Sequence, residues 1–203
     1  PVTVPLTVNG EPVELPAEGS LLDALRGVLG LHSVKDGCSP QGQCGCCTVL
    51  VDGAPRVSCV TPVRRVAGRS ITTLEGLPEA DRAAWAAALT ATGGSQCGFC
   101  TPGIVLRLEG LVAGADAAPE PAAVDRALAA HLCRCTGWQT IEEACALRCA
   151  GAGQDAAGAD REARDLEASA RRATLEGRSP QRVGPAVALG EGGFAEDTAP
   201  PDA

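Results

Sequence analysis

Apolar and polar residues alternate along "VTVPLTVNGEPVEL", and the two alternating runs meet at Asn9-Gly10. A period of two marks half-buried strands, and Asn-Gly between two such runs is the strongest short hairpin signal. The period changes in "SLLDALRGVLGL", where apolar positions recur at helical spacing behind Ser20, an N-cap residue, and Gly30 is placed to end the helix. "CTVLVDGAPRVSCV" restores the alternation on both sides of Asp52-Gly53, a second hairpin, and "RSITTLEGL" adds one short strand. Two hairpins, a helix between them and a closing strand predict a β-grasp domain over residues 1–77, its helix packed across a mixed sheet.

After Leu77-Pro78 the pattern turns helical and alanine-rich. Helices are predicted near 79–92, 101–113, 120–132 and 138–149, with Gly- or Pro-containing joints, which makes residues 78–150 a small four-helix bundle. The fold class expected is therefore α+β. Residues 151–203 read as a linker or partner-bound tail, because they hold few large apolar side chains. Within them "DREARDLEASARRATLEG" predicts an exposed helix, with Asp160–Arg164 and Glu167–Arg171 as i,i+4 pairs.

Composition sharpens this picture. Hydrophobic residues make up 45% of the 203 but aromatics only 2%, so much of the apolar content is alanine. Small side chains bury little area each, and such cores need help, for which a bound metal is one source. The net charge of −8 argues against a nucleic-acid surface. No apolar run reaches membrane-spanning length, so membrane insertion is not expected. "PVTVPLTVNG" reads as strand and turn rather than signal peptide, which favours the cytoplasm; a partner-borne signal would still allow the periplasm.

The eleven cysteines carry the chemistry. Their number is odd, and neighbours such as Cys46 and Cys47 seldom meet disulfide geometry, so metal ligation is the better reading. In "GCSPQGQCGCCT" and the hairpin after it, Cys38, Cys44, Cys47 and Cys59 follow the logic of a plant-type [2Fe–2S] site, three thiolates from one loop and a distant fourth. Gly37, Gly42 and Gly45 let backbone N–H groups converge on an anionic cluster. The spacing between Cys38 and Cys44 is one residue longer than the plant pattern, and Cys46 offers a competing C-x1-C reading. Cys47 is preferred because it enters a strand whose hairpin returns to Cys59, leaving Cys46 a small buried thiol.

The second group is "QCGFC" with "CRC": Cys97, Cys100, Cys133 and Cys135. Helix N-terminal N–H groups suit an anionic cluster there, with a four-cysteine zinc site as the alternative. Cys145 and Cys149 read as core thiols, and neither His32 nor His131 is given a metal.

"GCSPQGQCGCCTVLVDG…SC", "SQCGFCTPG" and "HLCRCTGW" together resemble the iron–sulfur subunit or domain of the xanthine oxidase family of molybdenum hydroxylases, over residues 2–149. The resemblance implies a ferredoxin-like domain with one [2Fe–2S] cluster and a four-helix domain with the other. It implies a molybdenum-binding large subunit, whose molybdopterin dinucleotide centre hydroxylates a substrate or, in some members, oxidises carbon monoxide. Electrons would leave through the two clusters, usually to FAD on a medium subunit. Gln96 and the backbone at Cys135 would sit against the pterin, and substrate chemistry would belong to the partner. A free-standing two-cluster ferredoxin is the competing function, and a zinc-stabilised module a third. "SPQRVGPAVALGEGGFAED" resembles the opening of the family's molybdenum-binding subunit; the other reading is an extension lying over a partner.

Overall fold

The computed structural model describes residues 2–113, 117–150, 165–177 and 182–198. Its five strands are β1 (Thr3–Val8), β2 (Glu11–Pro16), β3 (Thr48–Val51), β4 (Ala54–Val57) and β5 (Ser70–Thr72), in the order β2-β1-β5-β3-β4. β1 pairs parallel with β5 and every other neighbour is antiparallel. Both hairpins turn where the sequence places them: Asn9 and Gly10 have φ of 53° and 88°, Asp52 and Gly53 of 48° and 80°. Two consecutive left-handed residues twist a two-residue loop in the sense the strands require.

Helix α1 (Leu21–Asp23) begins with a reciprocal cap, in which Ser20 Oγ accepts from Asp23 N–H and the Asp23 carboxylate accepts from Ser20 N–H. It continues as a π-helical turn over Ala24–Val28, which the apolar spacing did not foretell. The wider turn sends Leu21, Leu22, Ala24 and Leu25 into one core with Leu6, Val8, Leu15, Val49 and Ile71. This is the predicted β-grasp, and the class is α+β.

Four helices follow: α2 (Glu79–Thr92), α3 (Thr101–Val112), α4 (Pro121–Leu128) and α5 (Trp138–Ala150). α4 is shorter than predicted for a physical reason. His131 N–H closes on Leu128 O at 2.8 Å, and Leu132 N–H is diverted to Cys44 O at 3.0 Å, so the chain leaves the helix to bind the cysteine loop. Trp85 is fully buried, its Nε1 donating to Glu109 Oε2 at 2.7 Å, and Arg148 covers the ring while pairing with Asp81 at 2.5 Å.

Further on, the described residues form three short helices, α6 (Leu166–Leu175), α7 (Pro185–Ala188) and α8 (Ala195–Thr198). α6 is exposed and carries the expected Glu167–Arg171 pair at 2.5 Å, whereas Asp160 and Arg164 lie outside the described residues. Residues 182–198 pack on the body instead of trailing from it, with Val187 and Ala188 buried.

The sheet and the helices meet along α3. A Cβ at Gly103 would collide with the carbonyls of Gly45 and Cys46, and one at Gly110 with Pro55. Gly103→Ala is expected to destabilise the protein by about 1–3 kcal/mol through overpacking against immobile backbone. Gly27 faces open space, and Gly27→Ala should be neutral or stabilising by up to about 1 kcal/mol. Chemical denaturation of the two variants reads the contrast; equal effects would contradict the close approach.

Candidate metal centres

The first group of thiols is assembled by the second hairpin. Antiparallel pairing of Thr48 with Val57 puts Cys47, just before β3, beside the turn after β4 that carries Cys59. Ser58 fastens this end, its N–H and Oγ both donating to Cys47 O at 3.1 and 2.8 Å. Cys47 and Cys59 are in side-chain contact, and burial with that contact pushes Cys59 up to about 12. The preceding loop turns at Ser39, whose N–H Asp36 Oδ1 accepts at 2.9 Å, and brings Cys38 against Cys44. Burial resists ionisation of Cys38, yet N–H groups of Gln43, Gln41 and Cys44 prevail and lower it to about 7; that of Gln41 is 3.2 Å from Sγ. These are the backbone donors anticipated for a glycine-rich cluster loop.

Cys46 turns the other way. The residue is 4% exposed and lies in the helical core cluster with Cys44 and Cys100, in side-chain contact with Cys44, whereas Cys47 belongs to the sheet core with Cys59. Burial and the neighbouring Cys44 push the Cys46 thiol up.

The second group comes from two helix ends. Cys97 and Cys100 lie on the loop into α3, with Cys100 at its cap position, and Cys133 and Cys135 on the turn between α4 and α5. Cys97 touches Cys135, and Cys100 touches Cys133. Contact with Cys100, helped by Thr136 and opposed by burial, lowers Cys133 to about 4, while the same contact and burial raise Cys100. Thr136 Oγ1 lies 3.0 Å from Cys133 Sγ.

The eight thiols thus contact in pairs, and Cys44 also contacts Cys46. Among the described residues no three His, Cys, Asp or Glu side chains converge on one ion position. Pairs of pairs are the donor set of a [2Fe–2S] cluster, whose ligands divide between two irons. Cys145 and Cys149 touch only across one helical turn, with Cys145 held up at about 12 by burial and its neighbour.

Two features were missed by sequence reasoning. His131, given no role, is buried at the seam, its Nε2 3.3 Å from Thr48 Oγ1 and its ring where a Gly45 Cβ would stand. Burial and Arg107 lower its pKa to about 4, so it is neutral. No spacing signal marks a histidine used for packing. The second is a cavity of about 600 Å³ beside the Cys97–Cys135 pair, lined by Gln96, Thr90, Arg182 and Phe194. Gln96 and Cys135 therefore share one wall, completed by residues of the tail that the sequence suggested as linker, partner-bound tail or the opening of a molybdenum-binding subunit.

Two family models match in tandem, a 2Fe-2S iron-sulfur cluster binding domain over residues 6–69 and a [2Fe-2S] binding domain over 73–146. The xanthine dehydrogenase iron-sulfur-binding subunit of Escherichia coli O157:H7 is 41% identical over 143 residues, which cover 69% of this chain and 89% of that subunit. The chain belongs to the iron–sulfur subunits and domains of the xanthine oxidase family. Within that family it also matches the aldehyde oxidoreductase of Megalodesulfovibrio gigas, 40% identical over 148 residues, or 68% of this chain but 16% of that much longer one. The crystal structure of the Desulfovibrio gigas aldehyde oxidoreductase superposes with a TM-score of 0.76 and 33% identity, covering 98% of this chain and 22% of that one.

Cys46→Ser is expected to leave iron content unchanged, because Cys47 rather than Cys46 contacts Cys59, whereas Cys47→Ser should remove about half of it. Iron analysis of both variants checks this. Loss on Cys46→Ser would move the ligand role to Cys46.

Proposed function

We propose that this chain is the electron-transfer unit of a molybdenum hydroxylase, with Cys38, Cys44, Cys47 and Cys59 holding one [2Fe–2S] cluster and Cys97, Cys100, Cys133 and Cys135 the other. The two-by-two meeting of the thiols carries the reading. Bound there, each cluster supplies a one-electron redox centre, so two in series divide two-electron chemistry into single steps. The chain's own residues hold and tune: backbone N–H groups at Gln41, Gln43 and Cys44 offset sulfur charge, and Thr136 does so at Cys133.

Gln96 and Cys135 face the molybdopterin of a large subunit or domain in this proposal. The cavity they share with Arg182 supports it, since a free-standing ferredoxin has no use for a recess beside its cluster. An FAD-binding subunit would take electrons from the first cluster, whose loop residues Ser39 and Pro40 are exposed. We divide the chain into a β-grasp domain at 1–77, a four-helix domain at 78–150 and a segment at 151–203 that leads into a molybdenum-binding domain. The tandem family matches support the first two, and the superposition over 98% of the chain supports the third. Among the described residues no helix is long and apolar enough to cross a membrane. We assign the chain to the cytoplasm, where thiols outside the clusters, Cys46, Cys145 and Cys149, stay reduced.

Cys135→Ser is the test of ligand sets and domain division together. It should abolish the paramagnetic signal of one reduced cluster and spare the other, read by electron paramagnetic resonance of dithionite-reduced protein. Equal loss of both signals would overturn the division.

A further inference from the structure

Lys35, the one lysine of the chain, has no exposed side-chain surface. A buried ammonium needs a counter-charge, and removing it is strongly destabilising. That charge comes from far along the chain: Asp197 Oδ2 pairs with Lys35 Nζ, and Asp197 Oδ1 accepts from Arg26 Nη2 at 3.1 Å. His32 Nδ1 lies 3.9 Å from the same oxygen. Arg26 is itself aimed by donating through Nη1 to Val34 O at 2.8 Å.

Apolar contacts extend the junction. Lys35 Nζ stands 5.1 Å from the centroid of Phe194, and that ring meets Phe99 edge-on at 5.0 Å. Phe99 lies between Cys97 and Cys100. Gly98, at φ +82°, leaves room for the carbonyl of Val187, with which any Cβ would collide. Gly190 lies against Pro102 at the start of α3. On its inner side Lys35 donates its N–H to Cys46 O at 3.3 Å, which ties the junction to the first cysteine loop.

We propose that Lys35, Arg26, Phe99 and Gly98 form a receptor surface for residues 182–198, locked by Asp197, and that the docked strap shields Gly98, Phe99 and Cys100. Such docking is a property of the strap itself, separate from electron transfer and independent of any domain attached beyond it. The strap joins the sheet layer, through Lys35 and Arg26, to the helical layer, through Phe99 and Pro102, across the seam where the two cysteine groups face each other.

Amide hydrogen exchange at Gly98, Phe99 and Cys100 in the cluster-loaded full chain reads the shielding directly. Asp197→Asn and Phe194→Ala should each speed exchange there about tenfold or more, the scale of a lost charge-assisted hydrogen bond, with the visible cluster spectrum retained. Trypsin should also cut faster after Arg182. If Asp197→Asn strands Lys35 and prevents folding, the double variant Lys35→Met/Asp197→Asn removes both charges and should fold with the strap released. Exchange within about twofold of the parent in the folded variants, or free exchange in the parent itself, overturns the proposal.

Discussion

The carbonyls of Gly45 and Cys46 approach α3 so closely that no side chain fits at Gly103. The rest of the molecule depends on that contact. Gly45, at φ +71°, also admits the imidazole of His131, and Leu132 N–H reaches Cys44 O from the same turn. One short loop therefore touches both α3 and the turn that carries Cys133. Fixing backbone against backbone leaves little freedom of rotation, so the pairs Cys38/Cys44 and Cys100/Cys133 are held on either side of a seam that neither layer would define alone.

Electrostatics then works on what the packing brings together. Four buried or half-buried thiols in one place cannot all ionise without compensation. The structure answers with the backbone N–H groups of the cysteine loop at Cys38 and with Thr136, by side chain and backbone, at Cys133. The same reasoning separates Cys46 from its neighbour. Cys46 contacts Cys44 and lies in the helical core, whereas Cys47 meets Cys59 on the sheet side.

What the sequence made legible was local. Asn9-Gly10 and Asp52-Gly53 announce their hairpins because left-handed residues are scarce and strongly typed, and Ser20 announces a cap. The cysteine spacings point to both thiol groups because loop-plus-hairpin and helix-end ligation leave fixed short intervals. Long-range choices were not legible. Nothing in "LAAHLC" says that α4 stops at Leu128 so that Leu132 can bind Cys44. Nor does "GGFAEDT" say that Asp197 answers a lysine 162 residues away. An acidic residue in a polar tail looks like solubility until its partner is seen.

One redox centre in each layer is the central claim, and the division of the thiols into four pairs is its foundation. Iron and acid-labile sulfide per chain, measured on protein purified without oxygen, test it most directly. About four of each is the predicted result, two per cluster. Zinc without sulfide, or about two of each in fully folded protein, would contradict it.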